Sequence, residues 1–535
     1  MGINVQILLT NIQSLRKLRY LEVSHTDMVE LPDSVTSLSN LQTLDLTNCE
    51  LKVIPDSISG LKNLRFLNLS DNPFEKLPAS VVTLSNLGTL DINTCKNLEA
   101  LPDSVRGLSR LRIFDFKNCP LLKELPEDLG TLTQLRYLSL YDTQIRVLPE
   151  SCANLSNLEY VNLCYCEVPK YVKNWTKLRK FVSQRGNILG AGELIFLERL
   201  NYSVPKQYAI NEAECNVGIE ELRNLKFLED LYIWNLQNVE DPADAESTNL
   251  KGKQNLHELC LHWSSNSSHH HLEVFEALQP PTGLRNLTIQ NFMGEVFPKW
   301  MCAASGLPNL VSLDFQNCKG IKKLPDIVQT PRLARLSLRG MHLESLDIGG
   351  FPSLIILDIE DMFLQELCYS YPSPFLQFLG IFGCKRLTEI PSLPCLLHMG
   401  LEKIDPKLVY SVGRSQTSLT TLFLENIDGL VYFPISILQN NSNLRILKIE
   451  GCNQFQGFGI TDYDKNENQV APGVYSSSLQ DLRFYDCPVL QFLPDLRGWT
   501  SLRKLAIFNC PQVKESLTYD LKSLSFLEGL RVDFI

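Results

Sequence analysis

The sequence predicts an α/β solenoid: a curved stack of short coils with a parallel β-sheet on the concave face and short helices, 3-10 turns and loops on the convex face. Three observations predict it. The pattern LxxLxL recurs almost from end to end, apolar and polar residues alternate within it, and a Leu-Pro step followed by apolar residues at spacing three returns between copies. In the first part of the chain the leading residue falls at Leu18, Leu41, Leu64, Leu87, Leu111, Leu135 and Leu158, in steps of 23, 23, 23, 24, 24 and 23 residues. At 535 residues the chain exceeds what one compact core usually supports, and a repeat array resolves this because each coil packs only on its neighbours.

The coil from Leu87 to Leu111 shows the physics of one unit. Leu90 and Ile92 alternate with Thr89, Asp91 and Asn93, the period of two that puts apolar side chains on one strand face and polar ones on the other. Asn93, Thr94 and Cys95 turn the chain, Leu101-Pro102 closes the next edge, and Asp103 or Ser104 is placed to cap a short helical turn. Val105, Leu108 and Leu111 then point back inward. The same step recurs at Leu31-Pro32, Ile54-Pro55, Leu77-Pro78, Leu125-Pro126 and Leu148-Pro149, where proline suits an edge because it fixes φ and donates no hydrogen bond.

Residues 1–170 form the regular block. From 221 to 535 the leading residues run Leu228, Leu256, Leu284, Leu310, Leu333, Leu354, Leu376, Leu396, Leu419, Leu444, Leu479, Leu502 and Leu527, with steps of 20 to 35, so this second block is less regular. Between them, 171–220 loses the period and reads as an irregular pair of coils with a projecting loop, marked by Gly186, Gly190, Gly192 and the polar stretch from Lys206 to Asn216. Two further excursions, Trp263 to Glu273 and Phe458 to Ser478, read as mobile loops. About twenty strands at about 4.8 Å each make an inner arc of roughly 95 Å.

Composition narrows the function. Fifty Lys and Arg against sixty Asp and Glu give a formal charge of -10 with no segregated basic patch, which argues against nucleic acid as a partner. The N-terminus lacks the charged and apolar regions of a signal peptide, Gln6 stands where a myristoylation motif needs Ser or Thr, and no apolar run is long enough for membrane insertion. Sequons such as Asn68 and Asn154 therefore read as unused. Nine of the cysteines, Cys49, Cys95, Cys119, Cys166, Cys318, Cys384, Cys452, Cys487 and Cys510, fall three residues after the last apolar position of the pattern, where Thr26, Asn72 and Thr143 stand in other copies. They form a column of buried free thiols that serve the turn carbonyls of the next coil, and free thiols imply a reducing, cytoplasmic setting.

Chemistry motifs are absent. His257, Glu258 and His262 have the wrong spacing for a zinc-protease helix and lie in a strand by period, and His269 to His271 read as a solvated loop. No phosphate loop, GxGxxG, GxSxG or CxxC occurs. The expectation is a protein that is not an enzyme, with no catalytic residue, metal or cofactor.

What remains is the polar face of the strands. Tyr20, Phe66, Tyr137, Tyr141, Tyr160, Tyr165, Tyr232, Trp234, Trp263, Phe378, Phe382, Phe423, Tyr485 and Phe508 are placed there, facing solvent. Aromatic residues are enriched at protein interfaces, so the concave face is the expected partner-binding surface, with stacking along the ladder as the alternative use of these rings. Glu22, Asp45, Asp91 and Asp115 share a column broken by Asn68 and read as a solvated face, or as an attractor of a basic partner.

The segments LPDSVTSLSNLQTLDLTNC and LKVIPDSISGLKNLRFLNLSDN resemble the intracellular leucine-rich-repeat arrays of plant coiled-coil nucleotide-binding (NB-ARC) disease-resistance proteins. The most specific stretch runs from Gly218 to Trp263, whose landmarks Asn238-Val239, Asp244-Ala245, Asn249-Leu250 and Lys253 are similar to that family's repeat domain; VFPKWM at Val296 to Met301 and LPNLVSLDFQNC from Leu307 add to the match. The resemblance implies a leucine-rich-repeat solenoid that recognises a pathogen effector or an effector-modified host protein, and that restrains a nucleotide-binding switch domain. That switch's phosphate-loop residues are not in this sequence, and Met341-His342-Leu343 lacks the aspartate of the family's switch motif. The chain is therefore expected to be the C-terminal part of such a receptor, a truncated product or a repeat-only relative. A constitutive intracellular scaffold of the Ras-group type, which the first block resembles equally, is the alternative, and a substrate-binding arm of a ubiquitin ligase a third reading.

Overall fold

The computed structural model describes residues 9–533 except 10, 11, 165, 168–171, 173, 184–189, 206–217, 265–271, 303–305, 325–329, 370–374, 459–477, 492, 494–498, 500 and 516–526. Gly186, the Lys206 to Asn216 stretch and the central parts of both proposed excursions lie outside the described residues. The chain divides into two units, Met1–Leu259 with Ala277–Pro281, and Cys260–Glu276 with Thr282–Ile535.

In the first unit the strands are β1 (Tyr20–Glu22), β2 (Thr43–Asp45), β3 (Phe66–Asn68), β4 (Thr89–Asp91), β5 (Ile113–Asp115), β6 (Tyr137–Ser139), β7 (Tyr160–Cys164), β8 (Lys180–Ser183), β9 (Arg199–Ser203) and β10 (Asp230–Trp234). Each pairs in parallel with the next in chain order. Parallel neighbours need a crossover, and the remainder of each coil supplies it. The register joins equivalent positions of successive copies, so Leu44, Leu67, Leu90 and Phe114 stack in one column, each 0% exposed. Strands β8 and β9 start from Leu178 and Leu197, so the stretch between the sequence blocks keeps the alternation even though its coil lengths drift.

Local chemistry closes each coil. After the strand the chain passes through a left-handed residue, with φ of 52° at Asn48, 57° at Asp71, 59° at Asn118 and 57° at Asp142. Asn and Asp tolerate that region better than other side-chain-bearing residues, which is why they dominate this column. One position later the column of small polar residues turns inward. Cys49 Sγ donates to the Val23 carbonyl at 2.7 Å, Cys95 to Leu69 at 3.3 Å and Cys119 to Ile92 at 3.2 Å, all from one coil to the one before. Asn72, in the same column, donates to Leu46 O at 2.8 Å and accepts from Cys49 N and Leu51 N. Burial pushes the Cys119 thiol up to about 12, so these sulfurs stay protonated donors.

The Leu-Pro edge leads into 3-10 helices at Asp56–Gly60, Ala79–Thr83 and Glu150–Asn154, and the proline itself occupies the N-cap position in each. In the coil from Leu87 to Leu111 Ser104 Oγ accepts from Arg106 N in its own turn at 3.5 Å, and a second coil adds to this closure. Asp128 from the following coil accepts from Val105 N at 3.0 Å and from Ser104 Oγ, so the polar closure also runs between coils. Val105, Leu108 and Leu111 are buried, as their spacing requires. A second ladder, carried by the Asn of the recurring SN and KN pairs, links coil to coil: Asn40 Nδ2 donates to Arg16 O at 2.8 Å, Asn63 to Ser39 O at 2.8 Å and Asn86 to Lys62 O at 2.9 Å.

The unit boundary falls inside β11 (Glu258–His262). The second unit's sheet contains β12 (Asn286–Gln290), β13 (Ser312–Gln316), β14 (Arg335–Arg339), β16 (Ile356–Glu360), β18 (Phe378–Phe382), β19 (His398–Glu402), β20 (Thr421–Glu425), β22 (Ile446–Glu450), β24 (Asp481–Tyr485), β25 (Lys504–Phe508) and β26 (Gly529–Asp533), again parallel in chain order. Two minor pairs sit beside it, β15 (Ser345–Asp347) with β17 (Glu366–Cys368) and β21 (Tyr432–Phe433) with β23 (Gly457–Phe458). The helix Pro406–Ser415 starts from Asp405, whose carboxylate accepts from Lys407 N at 2.8 Å with proline at the first helical turn. No described helix is long and apolar enough to cross a membrane.

Candidate binding face

The outward positions of the strands carry the candidate surface. In the first unit Tyr137 and Tyr160 are register partners on β6 and β7, and their rings stack with centroids 4.6 Å apart and planes 7° apart. Burial, together with the Asp115 carboxylate, pushes the Tyr137 phenol up to about 12. Tyr141 lies beyond the end of β6 and is 44% exposed. Tyr232 on β10 is held on two sides, accepting from Arg199 at 3.1 Å while donating to Glu258, with the Arg199 guanidinium over its ring. Burial raises its pKa, and the Glu258 carboxylate adds to the rise. Trp234 closes β10, half-buried.

In the second unit Phe423 on β20 is 38% exposed. Phe382, at the end of β18, lays its ring over Gly380, where an added Cβ would come within 2.5 Å of it. Gly380 pairs with Gly400 and Gly400 with Phe423, so two neighbouring strand positions without side chains leave room for that ring. Phe378 stacks on His398 at 4.4 Å. Farther along, Lys448 lies 5.8 Å from the Tyr485 ring centroid, Tyr485 and Phe508 are 6.3 Å apart, and Arg531 is 5.8 Å from Phe508.

Two sequence expectations need separate treatment. Trp263 does not face solvent: it is 1% exposed and packs edge-to-face on Phe275 at 5.2 Å and Phe292 at 5.1 Å. The reason is the period itself, since alternation from Leu259 and Leu261 carries Trp263 inward. Tyr165 lies outside the described residues. Of the remaining rings, Tyr137 with Tyr160, Phe378 with His398 and Tyr485 with Phe508 stack along the ladder, the alternative use expected for them.

The acidic column is in register, with Glu22 opposite Asp45, Asp45 opposite Asn68, Asn68 opposite Asp91 and Asp91 opposite Asp115. Each acid from Asp45 onward also serves its own turn. Asp45 accepts from Thr47 N at 3.1 Å, Asp91 from Asn93 N at 3.1 Å and Asp115 from Lys117 N at 3.0 Å. Burial raises the Asp91 and Asp115 carboxyls above the usual range. No group of three or more His, Cys, Asp or Glu side chains among the described residues is arranged to hold a metal ion.

Sequence reasoning singled out the landmarks between Gly218 and Trp263 by resemblance, and the structure supplies their physics. Asn238 Nδ2 donates to Val204 O at 2.8 Å, tying its coil to the previous one, and Val239 and Ala245 are buried. Asp241 caps the helix Pro242–Ser247 by accepting from Ala243 N at 2.8 Å. Asn249 takes a left-handed φ of 49°. Lys253 is 2% exposed and donates to the Leu222 carbonyl at 2.6 Å and the Leu225 carbonyl at 3.0 Å, closing the end of the 3-10 helix Ile219–Asn224. Burial lowers its pKa to about 8.

Residues 219–341 match the family model described as R13L1/DRL21 LRRs, residues 3–64 a leucine-rich repeat region and 63–84 a leucine-rich repeat. The chain is 30% identical to the putative disease resistance protein RGA1 of Solanum bulbocastanum over 243 residues, covering 43% of this chain and 24% of that protein. It is 28% identical to the putative disease resistance RPP13-like protein 1 of Arabidopsis thaliana over 338 residues, covering 56% of this chain and 31% of that protein. It thus spans about a quarter to a third of the length of these relatives. Among solved structures, a leucine-rich-repeat protein of Leptospira interrogans aligns at 22% identity with a TM-score of 0.46, over 77% of this chain and 93% of that one. The chain carries leucine-rich repeats, with a match to the R13L1/DRL21 repeat model over residues 219–341, and its repeats are similar to those of plant disease-resistance proteins.

Proposed function

We propose that this chain is a protein-recognition module of plant defence, whose strand face binds a pathogen effector or a host protein that an effector has modified. The observation that carries the reading is the exposure of large aromatic side chains on the ordered strand ladder, with Tyr20 at 57%, Tyr141 at 44%, Phe378 at 39% and Phe423 at 38%. A sheet face built only to be wetted has no use for such rings, whereas a protein interface uses them as anchors. Similarity to disease-resistance proteins supports the defence setting and an intracellular location, and it supports a nucleotide-binding switch domain as a second partner in any longer receptor. The role is binding and not catalysis. The constitutive scaffold reading gains support from the 23-residue coils but does not account for the match of residues 219–341 to the R13L1/DRL21 repeat model.

Proximity labelling in infected and uninfected plant tissue, with this chain as bait, tests the proposal. The expected outcome is a partner set that changes on infection and includes a pathogen protein or its host target. An identical set in both tissues, dominated by housekeeping proteins, overturns the defence reading in favour of the scaffold.

A further inference from the structure

From β1 to β5 the first unit's strand face is corrugated with a period of two strands; the pattern ends at β6 and β7, where Arg136-Tyr137 and Glu159-Tyr160 are large in succession. The residue just before the strand and the first residue of the strand are large in β1, β3 and β5, as Arg19-Tyr20, Arg65-Phe66 and Arg112-Ile113. In the strands between they are smaller, as Gln42-Thr43 and Gly88-Thr89. The backbone ladder places all five pairs side by side: Gln42 N donates to Arg19 O, Arg65 N to Gln42 O, Gly88 N to Arg65 O and Arg112 N to Gly88 O. Ridges therefore repeat every second strand, about 9.6 Å, with notches over Thr43 and Thr89.

Charge is sorted across the same strip. The three arginines form one margin, and among the described residues none of them makes an ion pair; Arg136, next in the row, pairs with Glu159 at 3.3 Å. The opposite margin is the acidic column of Glu22, Asp45, Asp91 and Asp115. Between the two margins lie the ridge side chains Tyr20 and Ile113, 57% and 39% exposed, and the half-buried Phe66.

An extended segment laid across the strands repeats a given face every two residues, about 6.8 Å, and drifts out of step with such ridges. An α-helix repeats a face every seven residues, about 10.5 Å, and also presents side chains one turn apart for the intervening notches. We propose that the first unit's strand face receives an amphipathic helix of a partner protein. Its apolar side chains seat over Thr43 and Thr89, acidic residues seven apart meet Arg19, Arg65 and Arg112, and a basic flank meets the aspartates. The proposal rests on the protein-binding reading of this face and specifies the element bound.

The probe is a synthetic, lactam-bridged 21-residue helix with leucine on one face, glutamate at seven-residue intervals on one flank and lysine on the other, titrated against the full chain by fluorescence anisotropy. Binding of the wild type is expected, with a loss of about tenfold or more for Arg65→Glu/Arg112→Glu and for Thr89→Trp at unchanged melting temperature. A second helix with lysine on both flanks should regain affinity for the arginine double variant. Absence of probe binding, equal affinities across the variants, or equal binding of a version broken by a central proline overturns the proposal. Partner capture from infected tissue separates the two readings. If capture survives Arg65→Glu/Arg112→Glu but is lost in Tyr137→Ala/Tyr160→Ala, the face binds protein without this helix. If it survives both, neither reading stands.

Discussion

The first seven coils of the first unit and the coils of the second solve the same packing problem with different tolerance for irregularity. In the first unit the leading leucines of the first seven copies step by 23 or 24 residues, 3-10 helices follow the Leu-Pro edge, and Asn side chains tie coil to coil. In the second, steps run from 20 to 35 residues, a helix as long as Pro406–Ser415 is accommodated, and minor strand pairs replace some turns. The strand register nonetheless joins equivalent positions in both, apart from a one-residue shift between β7 and β8, and its inward residues, such as Leu90 and Leu447, are equally inaccessible at 0% exposure. The difference teaches that the strand and its left-handed turn define the fold, while the rest of each coil is free to vary.

The largest expected effect follows directly. Leu90→Ala and Leu447→Ala should each cost about 2 to 5 kcal/mol in chemical denaturation, because each opens a cavity in a stacked column. Values agreeing within about 1 kcal/mol support a common strand core, and a much smaller cost for Leu447 would show that irregular coils relax around the void. Next in size is Lys253→Met, which removes the ammonium donor from the Leu225 carbonyl and from the Leu222 carbonyl, the latter keeping Leu225 N, and should cost about 1 to 3 kcal/mol. An unchanged denaturation midpoint would remove the physical role given to this landmark.

A smaller effect is a pH slope set by Glu221. Its carboxylate accepts from Gly190 N at 2.8 Å and Ala191 N at 3.1 Å, yet burial raises its pKa from 4.5 to about 7. Glu220 and Glu193 add to the rise, while Arg223 lies in the same 3-10 helix. Because the folded state holds this proton more tightly than the unfolded one, stability should be highest below about pH 4.5 and fall as pH rises toward 7. The stability difference between wild type and Glu221→Gln should therefore shift against the wild type as pH rises from about 4.5 to 7. A parallel pair of melting curves across that range would contradict it. Smallest is a reactivity difference: under native conditions a thiol reagent should modify the exposed Cys302 and Cys395 while sparing buried Cys95, Cys119 and Cys318. Mass mapping that finds the column modified first would place those thiols outside the core.

Much of the fold was legible because one physical rule, alternation across a pleated strand, acts at every copy. The inward leucines, the cysteine column and the Asn and Asp turns all follow from it. Trp263 was placed on the outward face although alternation from Leu259 and Leu261 carries it inward. Lys253 was visible as a landmark but not as a capping group, since a lysine in sequence carries no sign of burial. The cap by Ser104 on its own turn was legible, but Asp128, which reaches the same turn from 24 residues on from Ser104, is a contact between coils that no local pattern encodes. Partner choice is the least legible feature, because the fold leaves the outward positions free.

The central claim is that the strand face binds protein, and one measurement tests it most directly. Tyr137→Ala/Tyr141→Ala/Tyr160→Ala should lose capture of the infection-dependent partner in a pull-down while circular dichroism and melting stay near wild type. Full capture by the folded triple variant would place the interface elsewhere on the chain.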